Sequence, residues 1–165
     1  MPLADAILAE LDREGKSTVK ILERVPSAKL DWRPHAKSRS LGELAWHIAN
    51  LPANAVRMLR ERRLEVGSAR PPALPPGETD FGDAFQRNLE TLRNVLGETS
   101  DAVLMERFSF TRQGEPVVSF PKLGMLRTVL LNHCYHHRGQ LTVYLRLLDV
   151  PVPAIYGRSA DEEAF

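Results

Sequence analysis

Residues 133–140 read His133-Cys134-Tyr135-His136-His137-Arg138-Gly139-Gln140, and they decide how the whole chain is read. They lie inside a helical pattern that the sequence predicts from about Leu126 to Leu148. At ~100° per residue, Leu126, Leu130, His133, His137, Gln140, Leu141, Tyr144 and Leu148 share one face. That face is a core-facing stripe with two imidazoles and an amide at its middle. A buried polar group without a partner costs roughly 1–3 kcal/mol, so something must compensate these three. His133 and His137 are spaced i,i+4, which sets one ring above the other on the helix surface. Helical sites use the same spacing to chelate a divalent metal. The plainer alternative is a set of hydrogen-bonded core histidines. A third ligand elsewhere in the chain decides between the two.

Composition narrows the class. A chain of 165 residues fits one domain, spanning 1–165, with a sizeable core. Hydrophobic residues make up 43% and charged residues 26%, the balance of an ordinary globular protein. Lys and Arg number 22 against 21 Asp and Glu, so no basic surplus draws the chain onto nucleic acid. One cysteine, Cys134, rules out an intramolecular disulfide framework and suits a reducing cytoplasm. The start Met1-Pro2-Leu3-Ala4-Asp5 lacks the long apolar run of a signal peptide. No segment reaches the ~20 apolar residues of a membrane span. The expectation is a cytoplasmic protein that engages neither membrane nor nucleic acid.

Three further helices precede the histidine helix. Leu3, Ile7, Leu11, Thr18, Ile21 and Val25 repeat at helical spacing until Pro26 stops the pattern. Glu10 and Glu14 lie on or beside that face, either at a solvated rim or, for Glu14, buried and able to orient a metal-bound imidazole. A loop over 27–39 follows, holding Leu30-Asp31-Trp32-Arg33-Pro34-His35. Ser40 and Glu43 then form a capping box that opens a second helix running to about Arg62. Its stripe is Leu41, Leu44, Ala45, Ile48, Ala55 and Leu59, and Pro52 should loosen it one turn after His47. His47 sits at the edge of that stripe and can reach an interhelical space. Beside His133 and His137 it becomes the third ligand, ahead of His35 in its loop.

The proline-rich stretch 67–77 reads as a stiff connector that could span about 30 Å, enough for helices two and three to run parallel. Helix three opens at Thr79-Asp80 and presents Phe81, Ala84, Phe85, Leu92, Val95 and Leu96, with Asn88 as a hydrogen-bonded core amide. Between Ser100 and Leu123, two β-prone runs around Arg112-Gln113-Gly114-Glu115 predict a short hairpin. Pro121 then opens helix four. Gly139, costly inside a helix, implies a close helix approach. Residues 150–157 read as an extended tail that folds back. The fold class is therefore all-α, a four-helix bundle with a crossover between helices 2 and 3.

Bundles of this kind build cofactor sites from side chains on facing helices. Three imidazoles with open positions suit zinc, nickel or iron, whereas a closed structural zinc site wants a fourth ligand, usually a thiolate. Cys134 lies roughly 80° from the stripe centre and is badly placed to serve. An open metal position acts as a Lewis acid on a bound water or thiol. His136 and Gln140 are candidates to line the pocket or support the ligands.

At these residues the chain resembles a known family. The stretch His133-Cys134-Tyr135-His136-His137-Arg138-Gly139-Gln140-Leu141 is similar to the closing-helix motif of the DinB/YfiT-like metalloenzymes. Leu30-Asp31-Trp32-Arg33-Pro34 and residues Ser38 to Ala49 resemble that family's first-ligand segment, and Val152 to Asp161 its tail. The resemblance covers nearly the whole chain. It implies an up-down-down-up bundle, a metal on His47, His133 and His137, and a homodimer. It further implies a transferase or isomerase that uses a low-molecular-weight thiol with a small-molecule substrate. Two other readings stand beside it. One is a metal-dependent hydrolase with a carboxylate such as Glu14 as base; the other is a non-catalytic metal-binding bundle for stress response or dimerisation.

Overall fold

Ser40 accepts a hydrogen bond from the Glu43 backbone N–H while the Glu43 carboxylate accepts from the Ser40 N–H, closing the expected capping box. It opens α2 (Leu41–Arg60), in a computed structural model that describes residues 2–66 and 73–163. The next two N–H groups of this helix end are also used. Leu41 donates to the Trp32 carbonyl and Gly42 to that of Leu30, which docks the preceding loop onto α2. A Cβ on Gly42 would press on Leu30, 3.1 Å from its Cβ and 3.3 Å from its carbonyl oxygen, so glycine suits this close approach.

The other long helices are α1 (Leu3–Leu22), α3 (Phe81–Gly97, capped by Asp80) and α6 (His133–Leu147). α2 packs against α3 and α6, and α1 packs against the same two. Between them lies the core, with Ile21, Leu41, Ala45, Ile48, Leu92, Leu96 and Leu141 fully buried. Pro52 sits inside α2 without ending it, and Asn88 of α3 donates 2.9 Å to the Ala49 carbonyl in the turn that Pro52 disturbs. That is the hydrogen-bonded amide expected of Asn88. Among the described residues, no helix is long and apolar enough to cross a membrane.

The all-α expectation needs correcting, since the fold is mostly helical but includes a three-stranded sheet. After the short α4 (Asp101–Met105) come β2 (Arg107–Arg112) and β3 (Glu115–Pro121), the predicted hairpin. Its two-residue turn places both Gln113 and Gly114 at positive φ, as a hairpin turn following the strand twist requires. β1 (Arg63–Glu65) adds in parallel to β2, pairing Arg63 with Ser109. Three residues straight after a helix carry no alternation of their own, so only the tertiary pairing reveals this strand. The connector reading for 67–72 lies outside the described residues.

The last helix also departs from expectation. It opens after Pro121 as expected, as α5 (Lys122–Met125), but then widens into a π-helix over Leu126–Asn132 before α6, with right-handed helical backbone across both junctions. Lys122, only 3% exposed, stretches its ammonium to the Leu59 carbonyl at the C-terminal end of α2. A π segment accommodates more residues per turn and so rotates the phase of everything after it. The buried stripe becomes Leu126, Leu130, Cys134, Arg138, Leu141 and Leu145, and His133 and His137 move to its edge. Gly139 is exposed, with nothing within 4 Å of a Cβ built there, so the expected close approach is absent.

Candidate metal centre

α2 and α6 lie side by side, and the edge of each carries histidine. His47 on α2 and His133 and His137 on α6 are all half-buried, with their ligand atoms within 4.8 Å of one another. His133 Nε2 is 3.2 Å from His47 Nε2 and 2.7 Å from His137 Nε2. One ring nitrogen offers either a single N–H or a single lone pair, so protons alone cannot satisfy this convergence. Bonds of ~2.1 Å from three imidazoles to one zinc-sized ion would separate the nitrogens by about 3.0–3.4 Å. The 3.2 Å pair falls in that range and the 2.7 Å pair just short of it, so the three-histidine set is compatible with a divalent metal. Among the described residues, no Cys, Asp or Glu joins them.

The tautomer of His137 is set by its neighbour. Its Nδ1 lies 2.7 Å from Gln140 Oε1, and an amide oxygen only accepts, so Nδ1 carries the proton and Nε2 keeps its lone pair. Gln140 is exposed at the helix surface, not buried in the stripe as the sequence pattern implied. His136 is exposed as well, its ring centroid 4.9 Å from that of His137.

Electrostatics favour neutral rings. Burial, then the charge of Arg39 and the neighbouring imidazoles, pulls the His47 pKa down to about 3. Burial and the adjacent histidines and Arg39 bring His137 to about 4 despite the opposing bond from Gln140. Burial, His136 and Arg39 also lower His133. Arg39 forms no ion pair among the described residues. Its carbonyl accepts from Tyr144 Oη, and Trp32 packs edge-on against Tyr144, which pins this segment beside α6.

A stability prediction follows for the metal-free protein. Unfolded histidines titrate near 6.5, above the folded values, so the unfolded state binds protons first as pH falls. Stability should therefore drop from about pH 6.5 toward pH 4.5, before the carboxylates titrate. Each ring contributes at most ~1.4 kcal/mol per pH unit, less here because half-buried rings are screened by solvent. Thermal melts in chelator should show Tm falling between pH 7 and 5, with a shallower slope in His47→Gln. A flat Tm over that interval would contradict the assignment.

Glu14 is placed elsewhere. It is 6% exposed and sits on the α1 face that meets α6. Arg138, 1% exposed, donates 2.7 Å to Glu14 Oε2 and also reaches the Glu14 carbonyl and Thr18 Oγ1. Tyr156 from the folded-back tail donates to the same carboxylate oxygen at 2.6 Å while accepting from Arg138. Burial alone raises the Glu14 pKa, but hydrogen bonds from Tyr156, Arg138 and Arg13 outweigh it and the net shift is downward. None of the Glu14 hydrogen bonds reaches a histidine. Glu10 binds Tyr135 and Arg127 instead. Cys134 is buried against Thr18 Oγ1, 3.7 Å away and apart from the cluster. Exposed His35 accepts from its own loop through Lys37 N–H.

Next to the histidines lies a cavity of about 220 Å³, lined by His47, Leu51, Ala55, Met58, Phe110 and Met125, with Asn54, Val129 and His133. The hairpin supplies Phe110 to this wall. A larger groove of about 890 Å³ between α1 and α3 is lined mainly by charged side chains such as Lys16, Lys20, Glu23 and Arg87. It contains none of the three histidines.

The DinB superfamily profile matches residues 10–141, a span that includes His47, His133 and His137. The chain belongs to the DinB superfamily. YrdA of Bacillus subtilis is 27% identical over 161 residues, covering 97% of this chain and 92% of that protein. A DinB-like protein of Bacillus cereus superposes with a TM-score of 0.70 at 24% identity, over 92% of this chain and 97% of that one. The DinB-like YjoA of Bacillus subtilis gives 0.67 at 19% identity, over 89% and 96% of the respective chains. At these identities the solved structures speak to the DinB fold, and chemistry has to be argued from the histidine cluster.

Proposed function

We propose that this protein is a metal-dependent enzyme whose His47, His133 and His137 hold one divalent ion, nickel, zinc or iron, and that it acts as a thiol-dependent S-transferase or isomerase. The observation that carries this reading is the convergence of three imidazole nitrogens with no fourth protein ligand among the described residues, beside a cavity. Bound there, a divalent metal supplies Lewis acidity and makes a thiol more acidic. The chain's own residues do the rest. Gln140 keeps His137 in the ligating tautomer, and burial keeps the rings neutral. Arg39, without an ion pair among the described residues, presents a cation to an incoming thiolate or carboxylate. The apolar wall excludes water from the thiol's electrophilic partner. The long helices are read as the up-down-down-up bundle, with α1 and α2 diagonal.

Hydrolysis is the weaker reading because Glu14, its nominated base, is held by Arg138 and Tyr156. The test is metal analysis of untagged protein, then reloading with cobalt(II). Close to one ion per chain is expected, and addition of a low-molecular-weight thiol should bring up a thiolate-to-cobalt charge-transfer band. Protein that takes up no divalent ion, or a cobalt form blind to thiols, would overturn the proposal.

A further inference from the structure

The cavity beside His47 and His133 has a chemistry of its own. Leu51, Ala55 and Met58 come from α2, Phe110 from β2, Met125 from α5 and Val129 from the π-helix. Away from the two histidines, the only polar side chain on its wall among the described residues is Asn54. Among the described residues, then, no charge lines it. An apolar cavity of about 150 Å³ stays dry and accepts benzene, whereas drug-sized ligands need roughly 300–1,000 Å³. At about 220 Å³ this one holds a group and not a whole drug-sized molecule. Two methionines on the wall make its shape adaptable, since thioether chains repack at little cost. The π-helix matters here as well. By turning Val129 and His133 toward the same space, it puts the apolar wall and the ligating nitrogens on one side of the chain.

We infer that the substrate carries a small apolar group, an aryl ring or a branched alkyl chain of similar bulk, seated in this cavity with its reacting end at His47 and His133. The inference rests on the metal-site reading for what reacts, but not for what the cavity binds. Selectivity then follows from size and apolarity: a phenyl or isobutyl substituent is accepted, a carboxylate-bearing or sugar-sized one is rejected at this wall.

The methionines provide the readout. Met58 and Met125 line the cavity, while Met105 on α4 is 55% exposed and serves as the internal control. Benzyl alcohol titrated into full-length, metal-free protein labelled at the methionine methyls should shift Met58 and Met125 saturably and leave Met105 still. Val129→Phe should weaken that binding by about tenfold or more, the equivalent of ~1.4 kcal/mol. Ala55→Val, a smaller intrusion, should weaken it less, and an unchanged Met105 signal reports that each variant is folded. Equal shifts at the Met58, Met125 and Met105 methyls, or tight binding retained in folded Val129→Phe, would overturn the inference. Zinc titration of the same sample separates the two claims. Benzyl alcohol binding without zinc binding upholds the apolar site and defeats the metal reading, and zinc binding without methyl shifts does the reverse.

Discussion

Arg138→Ala is expected to cost about 3–5 kcal/mol of stability, because it removes the buried counter-ion of the Glu14 carboxylate and leaves it only exposed Arg13. Arg138 is 1% exposed and joins α6 to α1 through Glu14 and Thr18, and to the tail through Tyr156. Its guanidinium also lies 4.9 Å from the Tyr156 ring centre and 5.3 Å from that of Tyr135. For a chain of this size each kcal/mol moves Tm by ~2–4 °C, so the loss should read as roughly 6–20 °C. In the variant the hydrogen bonds from Tyr156 and Arg13 remain, but without Arg138 burial weighs more and the Glu14 pKa moves up from its lowered native position. The penalty should therefore be larger at about pH 7 than near pH 4, where the carboxyl can fold neutral. The double variant Glu14→Leu, Arg138→Met should regain most of the loss, since an apolar pair of similar bulk needs no desolvation of charge. Tyr156, 71% exposed, can turn its hydroxyl to water in that background. Urea unfolding at constant m-value measures all three. A drop of less than ~1 kcal/mol in Arg138→Ala would show that the pair behaves like a surface salt bridge.

Arg138 is also the residue that sequence reading passed over, although it lies next to His137. An uninterrupted α count from Leu126 centres the stripe on His133, His137 and Gln140. The π-helix over Leu126–Asn132 rotates that count, giving the centre to Cys134 and Arg138 and the edge to the histidines. Nothing in Leu126-Arg127-Thr128-Val129-Leu130-Leu131-Asn132 announces a wide turn, because the same residues suit an ordinary helix. The i,i+4 relation between His133 and His137 survived the error, since both lie after the π segment and turn together. His47 was legible because a capping box at Ser40 fixed where α2 begins and hence which edge His47 occupies. β1 and the parallel pairing Arg63 to Ser109 were not legible, because they depend on a contact between distant parts of the chain. Glu14 was correctly noticed as a carboxylate on a buried face. Its partner Arg138 is not legible from an uninterrupted α count, which leaves that residue off the core-facing stripe.

His137→Ala should remove most of the metal affinity, and Gln140→Ala should lower it by about 10–100-fold without touching a ligand. The second result carries more information. Gln140 is exposed and its Oε1 is 2.7 Å from His137 Nδ1, so its loss leaves the core intact. What it removes is the acceptor that keeps the proton on Nδ1. Without it, the neutral imidazole is free to place its proton on Nε2, the nitrogen that faces His133, and the lone pair turns away from the site. Gln140→Glu keeps an acceptor, and a negative one, which makes the imidazole a better donor to the metal. Affinity in that variant should equal or exceed that of the native protein. Zinc titration against a chelator of known strength gives the ranking Glu at or above Gln, Gln above Ala, with His137→Ala last. Unfolding in chelator should rank them differently, because neither Gln140 substitution disturbs a buried contact. If Gln140→Ala binds zinc as tightly as the native protein, His137 does not depend on this bond for its tautomer. The lone pair at Nε2 would then have to be secured by burial and by the charge of Arg39 alone.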